Sequence, residues 1–373
     1  MAIRVVLTGG GTGGHLFPLA AIADFMKEKY SPQEEVEFLF IGRGDQMEQQ
    51  IFSPRSIPIK KISTGKFRRY FSWKNFSDLF KIPLGIIQSL WHLLWYMPDV
   101  VFSKGGYVSV PVVLAARFYR IPVIIHESDA VPGFSNKVAG AFARRIAISF
   151  ERAKVYFVAE KTFLSGIPVR KEALGGDKYK AMEILGIKKE SKPVVFFIGG
   201  SQGAQIINEV VLEAINQLTI HYQVIHQTGK AHYDAVVREA GRRGQKIGHG
   251  DYYPIAFFGD EIGHLLALAD VVVSRAGATA IFEIAANQKP CILVPIKSSA
   301  NDHQRMNAFE IARAGGAVVL EEENFKKNLL IKKIDQLMND VEMREKMVKE
   351  LAKFYHPDAA QKISKEIMEA ALS

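Results

Sequence analysis

The segment Val5-Val6-Leu7-Thr8-Gly9-Gly10-Gly11-Thr12-Gly13-Gly14-His15-Leu16 sets five glycines between an apolar run and an apolar-periodic stretch. Residues 3–7 read as a buried parallel strand, since a strand covered on both faces needs no polar alternation. Residues 16–26 read as a helix, with Pro18 in its first turn, where a missing N–H costs nothing. Glycines at such a turn let the backbone bend sharply and approach a ligand with no Cβ in the way. A helix start adds unpaired N–H groups and the positive end of the helix dipole, which suits an anion or a sugar diphosphate. Gly9 to Gly14 also satisfies G-x-G-x-x-G, but so dense a run does so trivially. The acidic residue which that fingerprint wants after the next strand is missing, because Asp45 lies beyond further loop residues.

The arrangement recurs. Val194 to Ile198 runs into Gly199-Gly200-Ser201-Gln202-Gly203-Ala204, and a helix over 205–218 follows. A chain of 373 residues is too long for one core, so two Rossmann-like halves are expected. In the first half the strands are 3–7, 36–41, 57–61, 99–102, 122–126 and 145–149, alternating with helices. In the second they are 194–198, 222–227, 254–258, 270–273, 291–294 and 317–319. The pattern breaks at Ser165-Gly166-Ile167-Pro168-Val169-Arg170, which places the domain boundary there, and Pro357 precedes a last helix over 358–371. In such sheets ligands bind beyond the C-terminal ends of the strands. Those ends carry Gly9 to His15, Ser103 to Tyr107 and His126 to Gly133.

Hydrophobic residues make up 48% and charged residues 23%, the balance of a globular chain. Cys291, the only cysteine, lies in an apolar run and reads as inert core, which fits a reducing compartment. The N-terminus enters a strand directly, so no signal peptide is expected. The histidines show no ligand spacing and no metal site is expected; His221, His226, His232 and His249 read as surface or loop residues. A net charge of +9 fits nucleic acid, an anionic membrane or phosphorylated substrates. Its location decides. Between Lys60 and Lys81, cations including Lys66, Arg68 and Arg69 are interleaved with aromatics including Trp73 and Phe76. The apolar stretch 82–97 follows, too short to span a bilayer. Cations and aromatics could stack nucleic acid, yet the adjoining apolar helix fits a membrane interface better. The bland reading is a core helix beside a solvated basic loop.

Gly199-Gly200-Ser201-Gln202-Gly203 also fits G-x-S-x-G, the nucleophile elbow, with Asp270 and His303 in triad order. That elbow belongs in mid-sheet, whereas this one follows the first strand of its half, so an anion-binding turn is the stronger reading. Ser274-Arg275-Ala276-Gly277-Ala278-Thr279-Ala280 opens another helix, with Glu283 one turn on, placed to accept two ribose hydroxyls or simply to favour the helix start. Gln304 and Asn307 share a helix face after Asn301-Asp302-His303, and their amides suit sugar hydroxyls or solvent equally.

In order along the chain, these motifs resemble the MurG family of glycosyltransferases. The resemblance rests on Thr8 to His15, Gly105-Gly106-Tyr107-Val108-Ser109, His126-Glu127, Pro168-Val169-Arg170, Gly199 to Ala204, Arg275 to Ala278, Glu283, His303-Gln304 and Asn307-Ala308, and it covers essentially the whole chain. It implies an α/β GT-B fold: two Rossmann-like domains whose parallel sheets face across a cleft, with the C-terminal helix returning to the first. The domains would be 1–164 with 356–373, binding acceptor and membrane, and 165–355, binding UDP-GlcNAc. It implies inverting, metal-independent transfer of N-acetylglucosamine to the undecaprenyl-linked lipid I acceptor, giving lipid II. The setting would be the cytoplasmic face of the cell membrane, with an anionic lipid surface and cell-wall synthesis proteins as partners and no nucleic acid.

Carried over by position, Glu283 would hold the ribose, Ser201 and Arg170 the diphosphate, and the backbone at Phe258-Gly259 the uracil. Gly277, Ala278, Thr279 and Ala280 would complete the donor loop, and His303, Gln304 and Asn307 would face the sugar. Thr12, Gly13, Gly14 and Asp129 would serve the transferred sugar, and Gly105, Gly106, Tyr107, His126 and Glu127 the acceptor. His15 and Asp129 are the candidate catalytic residues, with His15 favoured as base because imidazole accepts a proton near neutrality. Lys66, Arg68, Arg69, Trp73 and Phe76 would meet the membrane. Four positions depart from the family pattern: Asp129 stands for Asn, Ile167 for Asn, Ala280 for Thr, and Gly259 for a hydrophobic residue. The other readings are a second kind of GT-B enzyme, such as a glycolipid glycosyltransferase or a UDP-GlcNAc 2-epimerase, and a nucleotide-sugar-binding subunit without turnover.

Overall fold

The computed structural model describes residues 2–11, 13–30, 35–65, 73–188, 191–200, 203–248, 250–297 and 302–373, with only the backbone for 73–80. Thr12, Lys66, Arg68, Arg69, Ser201, His249 and Asn301 lie outside the described residues, as do the side chains of Trp73 and Phe76. The chain divides into two compact units, Met1–Arg170 with His356–Ser373, and Lys171–Tyr355.

The first unit carries a seven-stranded sheet: β1 (Ile3–Thr8), β2 (Val36–Gly42), β3 (Ile59–Lys61), β4 (Val100–Ser103), β5 (Val123–Glu127), β6 (Arg145–Ile148) and β7 (Thr162–Leu164). Its order is β3-β2-β1-β4-β5-β6-β7, and every pairing is parallel. The apolar run of β1 serves two cores: Val5 and Leu7 pack with Leu16 and Leu19 of the helix Gly13–Tyr30, and Val6 packs with Val112 and Val113 on the other face. The C-terminal helix Ala359–Ala371 returns to this unit, burying Ile363 and Ile367 in the same core as Leu7. Arg145 on β6 fixes that helix through two hydrogen bonds to Glu366, of 2.7 and 2.9 Å. Residues 165–170 stay with this unit, since Ser165 and Gly166 donate to the Ile148 carbonyl and Gly166 packs on His356.

The second unit has β8 (Val194–Ile198), β9 (Gln223–Gln227), β10 (Tyr252–Ile255), β11 (Val271–Ser274), β12 (Cys291–Leu293) and β13 (Val318–Val319) in the order β10-β9-β8-β11-β12-β13, all parallel. Each unit therefore has a switch point, β1 beside β4 and β8 beside β11, where successive strands leave in opposite directions and loops part to form a crevice.

Several expectations need correction. The first helix starts at Gly13, so Pro18 is its sixth residue and interrupts the ladder in the second turn. The strand expected at 254–258 runs Tyr252–Ile255 and leaves Phe258 in a loop. His226 is not a surface residue: it lies on β9, fully buried. Cys291 is buried core, its thiol pushed up to about 12 by burial.

Candidate active site

At the first switch point the turn after β1 meets the turn after β4. Gly106 has a φ of +84°, and a Cβ there would lie 2.6 Å from the Gly10 carbonyl oxygen, so only glycine fits both conformation and space. A Cβ on Gly9 would lie 3.1 Å from the Cβ of Lys104, and Tyr107 accepts a 3.0 Å hydrogen bond from the Arg43 guanidinium. Asp45 is spoken for: it caps the helix Gln46–Phe52 through the Glu48 amide, while the Glu48 carboxylate accepts from Arg43 and Gly44.

Beside these turns, the end of β5 brings polar groups into the interior. His126 is fully buried, its Nε2 2.9 Å from Ser149 Oγ, and burial holds its pKa well below the usual imidazole value. The buried Glu127 carboxylate accepts from the amides of Asp129 (2.9 Å) and Gly133 (3.2 Å) and from Asn136 Nδ2 (2.9 Å). Asp129 is half-buried at the rim, and His15 is half-buried in the first turn of the helix Gly13–Tyr30. Arg170 is buried in this unit, its guanidinium 4.1 Å from the ring centre of Phe17, so it stacks one turn into the same helix. Lys104, fully buried, escaped the sequence reading; its only signal was a lysine closing an apolar strand before Gly105-Gly106.

In the second unit a Cβ on Gly199 would lie 2.9 Å from the Ala204 nitrogen, and one on Gly203 2.3 Å from the Thr228 carbonyl oxygen, so this turn too is closed by glycine. Behind it stands a buried chain. Tyr252 Oη lies 2.8 Å from His226 Nδ1, His226 Nε2 2.9 Å from Asn208 Oδ1, and Asn208 Nδ2 donates to the Thr228 carbonyl at 3.0 Å. Because Asn208 uses its nitrogen on Thr228, its oxygen must accept, which fixes His226 as the neutral Nε2–H tautomer. Burial lowers the His226 pKa to about 3.

Gly277 caps the helix Ala278–Ala286 with extended backbone, and a Cβ there would meet nothing within 4 Å, so this helix start opens on space. Glu283, on that helix, is 9% exposed. Arg275 is bound to Glu322 at 2.7 Å and to the Val294 carbonyl at 3.2 Å, so it braces the loop. Asn307 is buried with its amide on the Ala276 carbonyl at 3.3 Å, and Gln304 Oε1 accepts from Ile296 at 3.2 Å. Both amides hold backbone, Asn307 at Ala276 and Gln304 at Ile296. Phe258 packs on Phe196, and the Gly259 amide donates to Glu261 at 2.8 Å.

β8 comes first in its unit but lies mid-sheet, so position does not exclude the hydrolase elbow. Asp270 does: it accepts from the Val194 amide at 2.7 Å, at the start of β8, the sheet edge opposite Gly199. Among the described residues, no three His, Cys, Asp or Glu side chains cluster as a metal site.

The helix Trp73–Tyr96 turns Gly85, Ser89 and Leu93 inward. Ile87 (63% exposed), Trp91 (59%) and Trp95 (71%) face outward, with Leu84 and Leu94 alongside. Among the described residues no helix is long and apolar enough to cross a membrane.

This architecture, two Rossmann-like units each with a glycine turn feeding a helix, is that of the GT-B fold class. Residues 5–148 match the glycosyltransferase family 28 N-terminal domain and residues 194–363 the family 28 C-terminal domain. The chain is 39% identical over 369 residues, covering 98% of it and 99% of the relative, to a UDP-N-acetylglucosamine–N-acetylmuramyl-(pentapeptide) pyrophosphoryl-undecaprenol N-acetylglucosamine transferase of Bacillus anthracis. To a transferase of that name from Clostridium novyi it is 38% identical, with 93% of each chain covered. It belongs to this family of N-acetylglucosamine transferases, the MurG family, which makes lipid II in peptidoglycan synthesis. Its fold matches that of Acinetobacter baumannii MurG, with TM-score 0.74, 24% identity and coverage of 98% and 99% of the two chains. It also matches a UDP-N-acetylglucosamine 2-epimerase fold from Listeria monocytogenes, with TM-score 0.73, 15% identity and coverage of 99% and 96%.

Proposed function

We propose that the chain moves N-acetylglucosamine, with inversion, from UDP-N-acetylglucosamine to the 4-hydroxyl of the N-acetylmuramyl-pentapeptide of lipid I. The observation that carries this reading is the helix start at Gly277, open to a ligand and backed by the buried Glu283. A carboxylate there accepts both ribose hydroxyls, and the N-terminal turn Ala278–Ala280 favours the diphosphate. Ser201 and Arg170 add partners for the leaving phosphates, and the backbone at Phe258 and Gly259 takes the uracil. His303 and Gln304 meet the sugar, and Asn307 steadies the loop at Ala276.

On the acceptor side, Gly105, Gly106, Tyr107, His126 and Glu127 shape the pocket, while Asp129, with Thr12, Gly13 and Gly14, holds hydroxyls of the transferred sugar. His15 takes the acceptor proton as the C–O bond to the sugar forms and UDP departs. The exposed face at Ile87, Trp91 and Trp95, with the exposed Lys60, Lys61 and Lys81 nearby in sequence, docks on anionic lipid at the cytoplasmic membrane face. The epimerase reading does not call for such a face.

Labelled UDP-N-acetylglucosamine, a short-chain lipid I analogue and the full chain should give a labelled disaccharide, undiminished by EDTA. An epimerised sugar nucleotide, or binding without turnover, would overturn the reading.

A further inference from the structure

The end of β9 is tied to the glycine turn after β8 by a chain of buried polar groups, Asn208, His226, Thr228 and Tyr252. Asn208 is the fourth residue of the helix Gln205–His221, which follows that turn. Its Nδ2 donates to the Thr228 carbonyl at 3.0 Å. The same oxygen faces Gly203, where φ is +78° and a Cβ would lie 2.3 Å from it. One backbone oxygen therefore meets both the last glycine of the turn and the start of the helix. The direction of the chain is fixed from that end. A carbonyl can only accept, so Asn208 must aim its nitrogen at Thr228 and its oxygen at His226. His226 then donates from Nε2 at 2.9 Å, and its Nδ1 accepts from Tyr252 Oη at 2.8 Å. A fully paired buried network of this kind rigidifies what it holds. Apolar residues would fill the same core without the penalty that each polar group incurs if its partner is lost. The chain ends on the carbonyl that faces Gly203, at the sheet edge where ligands bind.

We propose that Asn208 is a positioning residue for the donor diphosphate: oriented by His226 and Tyr252, it holds the Thr228 carbonyl and so sets Gly203 and the helix start at Gln205. The inference rests on the donor reading, in which Ser201 on this turn meets the diphosphate. It needs no contact between Asn208 and substrate. Uracil and ribose are held elsewhere on that reading, at Phe258-Gly259 and Glu283, so the effect is confined to the phosphates.

The test is calorimetric titration of the full chain with UDP and with uridine. Asn208→Asp keeps the shape and the acceptor for His226 but removes the N–H aimed at Thr228. A misplacement of about 1 Å in a preorganised site can cost about 100-fold. The advantage of UDP over uridine should therefore fall by about 10- to 100-fold, with uridine affinity and the acceptor KM unchanged. A protonated carboxyl can donate to Thr228 again, so the loss should deepen as pH rises. His226→Gln, whose amide can accept from Tyr252 and donate to Asn208, should keep the advantage, and His226→Leu should lose it. A merely structural chain gives a less stable Asn208→Asp protein whose UDP-to-uridine ratio matches wild type at every pH. That result overturns the proposal and leaves the donor reading intact. Wild type that binds uridine as tightly as UDP would overturn both. Should Asn208→Asp not fold, Tyr252→Phe decides, because it removes only the far hydroxyl. A smaller fall in the same ratio supports the chain, and an unmoved ratio sinks it.

Discussion

Gly106 faces the carbonyl of Gly10 so closely that a Cβ on it would lie 2.6 Å from that oxygen, at a φ of +84°. The two turns at the first switch point are thus locked together by the absence of a side chain. Gly106→Ala meets a backbone conformation and a backbone atom that both exclude it, and we expect a loss of about 1–3 kcal/mol in stability with a displaced turn. Gly277→Ala is the counterpart, since φ there is −69° and no atom lies within 4 Å. It should cost less than about 1 kcal/mol in stability yet weaken UDP-N-acetylglucosamine binding, because the methyl enters the space left for the ligand. Urea denaturation and donor titration of the two variants separate the cases.

Glu283→Ala should weaken donor binding through the lost ribose contacts. A charge-assisted pair of hydrogen bonds is worth roughly 1.5–3 kcal/mol, or about 10- to 150-fold in affinity. The discriminating measurement compares ribose with 2′-deoxyribose donors. Wild type should prefer ribose and the variant should bind both nearly equally; an undiminished preference would leave Glu283 no more than a buried acid on the helix.

His226 makes the second unit acid-sensitive. Its folded pKa is depressed to about 3 by burial, below the unfolded imidazole value of about 6.5. A depressed pKa stabilises the fold above the unfolded value, and that stability is lost as pH falls from about 6.5 toward 3, by an amount on the order of a few kcal/mol. His226→Gln, whose amide can accept from Tyr252 and donate to Asn208, should remove most of that slope. Hydrogen exchange of the β8 and β9 amides across this range is the measurement, and an equal slope in both proteins would show that another group titrates.

His226 also shows where sequence reading stops. Val194–Ile198 was legible because its apolar run is bounded by a glycine turn, and both cues are local. The buried state of His226 depends on Asn208 and Tyr252, 18 and 26 residues away on other elements, and nothing in Val224-Ile225-His226-Gln227 announces them. Lys104 is the same case, since a lysine after an apolar strand looks like a solvated strand end, yet the fold around it leaves it fully buried. The glycine turns and Glu283 could be found because their chemistry is written in adjacent residues. The i, i+3 spacing of Gln304 and Asn307 is visible in the sequence, but the backbone groups their amides hold, at Ile296 and Ala276, lie on other segments and are not. The central position of β8 escaped because chain order and sheet order differ in a doubly wound sheet.

The outward face of the helix Trp73–Tyr96 should govern lipid attachment. Replacing Ile87, Trp91 and Trp95 with Ser leaves the inward residues Gly85, Ser89 and Leu93 untouched, so folding should survive. Sedimentation with anionic vesicles should fall sharply in that variant. It should also fall when Lys66, Arg68 and Arg69 become Glu, at about 1 kcal/mol per cation near the surface, and it should be screened by salt. Transfer to a short-chain soluble acceptor should persist in both variants. Unchanged vesicle binding, or equal loss of both properties, would remove the membrane role.

The identity of the base divides His15 from Asp129. His15 sits half-buried in the first turn of the helix Gly13–Tyr30, and imidazole accepts a proton near pH 7 without tuning. Asp129 is half-buried at the rim, its backbone held by Glu127 and its carboxylate within the field of Lys104. On the proposed reading the proton goes to His15, the commonest kind of general base, and Asp129 holds sugar hydroxyls. Loss of a general base costs roughly 10²- to 10⁴-fold in turnover. His15→Ala should lose turnover by that factor with donor affinity nearly intact, whereas Asp129→Asn should stay within about tenfold of wild type in turnover. If Asp129→Asn is nearly inactive and His15→Ala turns over, the carboxylate is the base in this chain and His15 only orients the acceptor.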